Sequence, residues 1–204
     1  LFPHILGRVC THPCESACRR GKIDEPVSIC SLKRVAADFA KKEYPKRCSV
    51  AKKTGKKKKV AIIGAGPSGL AAGNDLAVMG HDVTIFEALP MAGGMLSVGI
   101  PPYRLPWNKI DGAVDWVEKL GIKLKLKSPI NTLAKFDKLV EKYDAVYIAA
   151  GAHKSMALEI QGEDLKGVVN GIAYMKDINL GKQKQVSSRV AVVGGGFTAI
   201  DCAR

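Results

Sequence analysis

An α/β fold preceded by a small helical module is what the 204 residues predict, and three observations predict it. Four of the six cysteines fall within 21 residues near the front. A short apolar run, Val60-Ala61-Ile62-Ile63, feeds directly into Gly64-Ala65-Gly66-Pro67-Ser68-Gly69 and then into a helix-forming stretch. A second unit of the same kind, Arg189 to Val193 followed by Gly194-Gly195-Gly196, closes the sequence. Composition agrees: 47% hydrophobic and 25% charged is an ordinary globular balance, too apolar for a disordered chain. No window approaches ~20 uninterrupted apolar residues, so no membrane-spanning helix is expected. The opening Leu1-Phe2-Pro3-His4-Ile5-Leu6-Gly7-Arg8 is too short an apolar run for a signal peptide. It lacks an initiator Met, and Asp201-Cys202-Ala203-Arg204 stops inside what reads as a starting helix, so a fragment of a longer chain is expected.

The front module carries Cys10-x3-Cys14-x3-Cys18-x11-Cys30. An iron–sulfur cluster needs several thiolates converging from short, kinked backbone, and intervals of this length let neighbouring sulfurs aim at one centre. Pro13 stiffens the first interval, and Arg8, Arg19 and Arg20 would offset the negative charge of bound thiolates. Structural zinc fits less well, because its ligands usually come as tighter paired knuckles. Disulfides would need an oxidising compartment that nothing else here suggests. The spacing favours an Fe–S cluster, with Cys10, Cys14, Cys18 and Cys30 as candidate ligands. The stretch after Cys30 places Leu32, Val35, Ala36 and Phe39 at helical spacing, a face expected to close over the cysteines.

The net charge of +13 is a local matter. Residues 41–59 hold nine Lys and one Arg against a single Glu, while the remainder is nearly balanced. Such a run reads as a solvated linker, with steering of an acidic protein partner as the functional alternative. Nucleic-acid binding is the weaker option, since only Tyr44 interrupts the run with an aromatic ring.

Past the lysines, strand, glycine turn and helix in immediate succession lift Gly-x-Gly-x-x-Gly above chance. Gly64 permits the tight turn, Gly66 lets backbone approach a pyrophosphate, and Gly69 allows helix and strand to pack closely. The N-terminus of the following helix offers free N–H groups to phosphate. A second strand from His81 ends at Glu87, eighteen residues beyond Gly69, where a carboxylate can accept from ribose hydroxyls. The unit binds an adenine dinucleotide on this reading, and the fingerprint alone does not distinguish FAD from NAD. The double glycine in Met91-Ala92-Gly93-Gly94-Met95 tips it toward FAD, giving bare backbone where an extended flavin dinucleotide must pass. Arg104 is a candidate for phosphate or flavin oxygens.

Tyr143 to Gly151 reads as a buried strand running into a turn, with Gly151 a candidate cofactor contact and His153 a surface residue. The second fingerprint, Gly194-Gly195-Gly196-Phe197-Thr198-Ala199, replaces the third glycine with the small Ala199. Gly194, Gly195, Gly196 and Thr198 are its candidate nucleotide contacts. Cys202, on the helix that follows, is expected to pack, and Cys48 to be a bystander.

Taken in order, the cysteine spacing, the Gly64 turn, Glu87 with Gly93-Gly94, Tyr103-Arg104-Leu105-Pro106, Ile160-x-Gly162-Glu163-Asp164-Leu165-x-Gly167-Val168 and Val192 to Arg204 resemble the glutamate synthase small-subunit-like flavoproteins. That group includes the N-terminal half of dihydropyrimidine dehydrogenase and flavin subunits of anaerobic Fe–S oxidoreductases. The resemblance implies a helical iron–sulfur domain over 1–45, a basic linker over 46–59, a Rossmann-like FAD domain over 60–187 and the start of an inserted NAD(P)H domain over 188–204. It implies FAD contacts from Gly64, Ala65, Gly66, Pro67 and Ser68, from the stretch Glu87 to Met95, and from Arg104. It also implies cluster ligation by the four cysteines, which in two-cluster relatives are divided between clusters. Two positions depart from the family pattern: Ala150 stands where Thr is usual, and Phe197 where Asn or Asp is common.

The implied activity passes electrons between NAD(P)H, FAD and a [4Fe–4S] cluster to a larger redox subunit or domain, acidic or ferredoxin-like, in the cytoplasm. No side chain is expected to act as an acid, base or nucleophile, because the cofactors carry the chemistry. The alternative is a non-catalytic Fe–S docking and electron-wiring module that needs more of the C-terminal part for turnover.

Overall fold

The computed structural model describes residues 2–40, 56–182 and 186–204. Cys48 and the basic run up to residue 55 therefore lie outside the described residues. Among the described residues the front module has three α-helices, α1 (Pro3–Val9), α2 (Pro13–Ser16) and α3 (Ile29–Phe39), with a 3₁₀ turn at Arg19–Lys22. Proline opens both α1 and α2, at the helix start where its missing N–H costs nothing. Helices α1 and α3 cross at Gly7, where a Cβ would sit 2.7 Å from the Arg34 Cα. The expected apolar face of α3 does not close inward. Ala37 is buried, whereas Leu32, Val35 and Phe39 are exposed, Phe39 to 87%. The reason lies in α1, which is only seven residues long and covers α3 on the Gly7–Arg34 side alone.

The larger unit is a four-stranded parallel sheet of β1 (Lys59–Ile63), β2 (Asp82–Phe86), β3 (Lys123–Lys125) and β4 (Ala145–Ile148), ordered β3-β2-β1-β4. Register pairs Val60 with Val83 and Ile62 with Ile85, and on the other edge Val60 with Ala145. Helix α4 (Pro67–Val78) crosses from β1 to β2. After it come α5 (Met95–Val98), α6 (Trp107–Lys119) and α7 (Leu133–Lys142). Leu70 and Ala77 of α4 pack with Val60, Ile62, Val83, Ile85, Val117 and Ile122 into one core. Strands β1 and β2 are buried over three consecutive residues each, as parallel strands covered on both faces must be. Strand β4 forms where the sequence places it and is an edge strand among the described residues, but it is not buried as expected: Tyr147 and Ile148 are exposed.

Successive strands step outward from β1 through β2 to β3, and the chain then returns to place β4 on the opposite side of β1. The order therefore reverses beside β1. In open parallel sheets that reversal opens the crevice where ligands bind, at the carboxyl ends of the strands.

Helices α8 (Gly171–Asn179) and α9 (Phe197–Ala203) pair with each other. Their contact is close because a Cβ on Gly171 would meet Thr198 Cγ2 at 3.2 Å and Cys202 Sγ at 3.3 Å. Asn170 caps α8 by accepting from the Ile172 N–H at 2.9 Å. Arg189 to Val193, read as a strand, pair with no strand among the described residues. Val190 and Val193 are accordingly exposed. No helix among the described residues is long and apolar enough to cross a membrane.

Candidate functional site

Gly64 sits at the carboxyl end of β1 with φ +107°, a conformation that side chains resist. A Cβ there would lie 2.3 Å from the Ala149 carbonyl oxygen just past β4, so the crevice between β1 and β4 is open only to glycine. Its N–H donates to Phe86 O at 2.8 Å, tying the turn to the end of β2. Gly69 is constrained in the same way, since a Cβ would come within 1.9 Å of Gly64 O. Gly66 precedes α4 in extended backbone, and the first N–H groups of that helix have no partner within it.

Gly93 and Gly94 close the other side. Both have positive φ, and a Cβ on Gly94 would lie 2.8 Å from the Gly66 Cα. Gly93 N–H donates to Ala65 O at 2.8 Å, and Met95 begins the short α5 immediately after. The stretch Gly64 to Gly69 and the Gly93-Gly94-Met95 stretch thus meet as bare backbone. That cradle suits an extended dinucleotide, and any side chain at Gly94 would fill it.

Glu87 is 6% exposed at the end of β2. Its carboxylate accepts from the Ala65 N–H at 2.7 Å through Oε2 and from the Leu89 N–H at 2.8 Å through Oε1. The side chain assigned to ribose is thus also the brace that ties the glycine turn to β2. Each oxygen keeps a second lone pair for a hydroxyl donor. Ser68, at the first turn of α4, shares a 2.8 Å hydrogen bond with the Tyr147 hydroxyl from β4. Tyr147 had no signal in the sequence, since the bond joins positions 79 apart.

Arg104 meets the helix of the second glycine unit. Its Nη2 lies 2.8 Å from Asp201 Oδ2, near enough for an ion pair though off the hydrogen-bond line, and its guanidinium covers the Phe197 ring at 5.1 Å. Its buried Nε has no partner among the described residues. Tyr103 OH donates to Asp201 O at 3.2 Å, and Arg204 lies over the Tyr103 ring. Asn179 of α8 donates to the carbonyls of Val98 at 3.1 Å and Ile100 at 3.3 Å. The Tyr103-Arg104 pair therefore joins the first glycine turn's domain to the helix of the second. Of that second turn, Gly194 has φ +120°, Gly195 and Gly196 have open space where a Cβ would stand, and Thr198 packs on Gly171. Gly151 adopts φ +70° beside His153, whose Nδ1 is buried without a partner among the described residues. Cys202 packs as expected: its thiol faces Gly171 O at 3.5 Å, and burial pushes it up.

In the front module Cys10, Cys14, Cys18 and Cys30 are free thiols. The Cys18 thiol is held below its ordinary value by backbone N–H groups, Val27 first and then Arg20 and Gly21. Cys10 Sγ accepts from the His12 N–H at 3.4 Å, and Cys30 Sγ faces the carbonyls of Gly7 at 3.6 Å and Leu6 at 3.8 Å. Thiols are the donors an Fe–S centre takes, and N–H groups face Cys10 and Cys18 as they face cluster-bound sulfur, whereas Cys30 faces carbonyls. Among the described residues no three His, Cys, Asp or Glu side chains stand close enough together to hold a metal ion.

Residues 58–204 match the family model described as pyridine nucleotide-disulphide oxidoreductase. Residues 1–44 match that of dihydropyrimidine dehydrogenase domain II, 4Fe-4S cluster. The chain is 44% identical to the NADP(+)-dependent formate dehydrogenase subunit beta of Moorella thermoacetica, over 98% of this chain and 32% of that protein. It is 36% identical to the glutamate synthase [NADPH] small chain of Bacillus subtilis, over 98% of this chain and 43% of that one. Among solved structures, a 2-naphthoyl-CoA reductase complex superposes with a TM-score of 0.63 at 35% identity, covering 76% of this chain and 22% of that one. The chain thus spans about a third of the formate dehydrogenase subunit it resembles.

Proposed function

The chain belongs to the pyridine nucleotide-disulphide oxidoreductase family, and from that premise we propose that it is part of an oxidoreductase subunit passing electrons between NAD(P)H, FAD and a [4Fe–4S] cluster to a larger redox partner. The observation that carries the proposal is the docking of a cysteine module, through α1, onto the domain whose glycine turn opens at the strand-order reversal. When bound, the nicotinamide supplies a hydride, the flavin accepts it, and the cluster carries electrons onward singly.

The chain's own residues bind and orient. Gly64, Ala65, Gly66, Pro67, Ser68 and Gly69 leave backbone and the N-terminus of α4 open to a pyrophosphate. Glu87 braces that turn and keeps acceptor capacity for a ribose. Gly93, Gly94 and Met95 form the opposite wall. Cys10, Cys14, Cys18 and Cys30 would hold the cluster, and Gly194, Gly195, Gly196 and Thr198 the nicotinamide dinucleotide. A cytoplasmic setting goes with this reading, because a reducing compartment keeps free cysteines from pairing as disulfides before a cluster is loaded.

Anaerobic reconstitution with FAD, iron and sulfide tests it. Protein-bound iron, and flavin and iron–sulfur absorbance that NAD(P)H bleaches, are expected of the parent protein, and a preparation holding neither flavin nor iron overturns the proposal. The unpaired course of Arg189 to Val193 favours a second reading for the 204 residues by themselves: an Fe–S docking and electron-wiring module without turnover. Hydride oxidation by the isolated chain would exclude it.

A further inference from the structure

The cysteine module and the flavin domain meet at two contacts, one through α1 and one through α3. The first is apolar: Ile5, 2% exposed, packs with Leu105, Ile110 and Ala113, and Phe2 and Val9 fill the margin. The other link is ionic and centres on Asp38 of α3. Its Oδ2 lies 2.8 Å from Arg8 Nη2, and its Oδ1 is 3.1 Å from both His4 Nδ1 and Lys109 Nζ. Arg8 and His4 belong to α1 and Lys109 to α6, so one carboxylate ties three helices of two modules together. Arg8 also donates to the His4 carbonyl at 2.8 Å, and its side chain is almost wholly buried. Behind α1, the carbonyls of Leu6 and Gly7 face the Cys30 sulfur. Helix α1 is therefore the spacer between Cys30 and the Leu105 end of the Tyr103-Arg104-Leu105-Pro106 segment.

We infer that Asp38 is a positioning residue for electron passage between the two redox groups: with Lys109 it fixes how far the cysteine module stands from the flavin domain. This rests on the functional reading above. The apolar contact alone permits α1 to slide, since burial is non-directional. The Lys109 contact to Oδ1 adds a directed tie between the modules, and Arg8 on Oδ2 holds that carboxylate in place within its own module. No proton or electron passes through Asp38; it sets the separation that electrons must cross.

The experiment uses the reconstituted parent protein. In Lys109→Met the module keeps its own Arg8–Asp38 pair and loses only the tie to α6, Asp38→Asn weakens all three ties, and Lys109→Arg is the conservative control. Iron content and the rate of flavin reduction by NAD(P)H are expected to match the unaltered protein. The following cluster reduction, read by freeze-quench electron paramagnetic resonance, is expected to slow about tenfold or more in Lys109→Met, because small misplacements are costly to a positioned reaction. Lys109→Arg restores it. Hydrogen exchange on the cofactor-free chain is expected to quicken in α1 and in residues 105–113. Unchanged cluster reduction in Lys109→Met overturns the inference even where exchange quickens, since a purely structural tie would do just that. A parallel fall in flavin reduction also overturns it. An unaltered protein that reduces its flavin but never its cluster fails the functional reading and removes this inference with it. Should Asp38→Asn fail to load iron, Lys109→Met decides.

Discussion

Gly64 and Glu87 act as one joint at the residue scale, and each can be tested alone. Gly64 combines φ +107° with a Cβ position 2.3 Å from Ala149 O, so alanine there must move either the turn or β4. Backbone strain of this kind costs about 1–3 kcal/mol. Gly64→Ala is therefore expected to lower the melting temperature and to leave the reconstituted protein without stoichiometric flavin; equal flavin content in the variant would contradict the cradle assigned here. Glu87 is buried with both oxygens taking backbone N–H donors from Ala65 and Leu89. Glu87→Gln must turn one amide NH2 toward an N–H, leaving a buried donor unsatisfied at a cost of about 1–3 kcal/mol. Denaturant titration should show that loss before any cofactor is added, which separates the bracing role from ribose binding. A loss seen only with FAD present would mean that the brace is dispensable.

The relation of α1 to α3 supplies a pH-dependent prediction at the scale of elements. Arg8 first, then His4 and Lys109, hold the Asp38 carboxyl well below the usual carboxylate range, against the opposing pull of desolvation. A depressed folded-state value means that the unfolded chain binds the proton more readily, so stability rises with pH across that window. The contribution is complete above the ordinary aspartate value of about 3.9 and drains away as pH falls below it. Urea midpoints taken from neutral pH downward should therefore fall more steeply for the unaltered chain than for Asp38→Asn, the two converging in strong acid. Parallel curves would remove Asp38 from the account of acid sensitivity. Elements differed in how far the sequence exposed them. The β1–turn–α4 unit was legible because its determinants are contiguous: an apolar run, glycines at set spacing and a helix start. The cysteine spacing marked the front module for the same reason, but no three metal-ligating side chains converge among the described residues. The solvent-facing stripe of α3 was not, because periodicity shows that a helix has an apolar face without showing what covers it. Arg189 to Val193 read as a strand from its place before the second glycine turn, yet among the described residues no strand pairs with it. The partners of Arg104 and Asp38 were invisible, since Asp201 lies far along the chain on α9 and Lys109 lies 71 positions from Asp38.

Across the whole molecule, the short segment from Tyr103 to Pro106 joins every module. Leu105 packs under Ile5 of the cysteine module, while Tyr103 and Arg104 hold α9 behind the second glycine turn. Its position between the flavin cradle and both neighbours makes it the place where relative placement of the modules is set. The Arg104–Asp201 pair is the ionic one among these ties. Asp201 is 6% exposed and would be a buried, uncompensated charge without Arg104. Removing one partner of a buried pair is strongly destabilising, and because Arg104 keeps some contact with water we expect about 2 kcal/mol rather than the larger penalty of full burial. Arg104→Met should loosen α8 and α9, with faster hydrogen exchange over residues 171–179 and 197–203, and leave exchange in β1 and β2 as it was. Asp201→Asn with Arg104→Met should cost less than the two single changes added together, since each single variant strands the partner that the double variant removes. A double-mutant cycle closing to within about 0.5 kcal/mol of additivity would show that the two charges act independently. In that case α9 is held by Tyr103 and Phe197 packing, and Arg104 is free to serve the flavin, as the family resemblance implies.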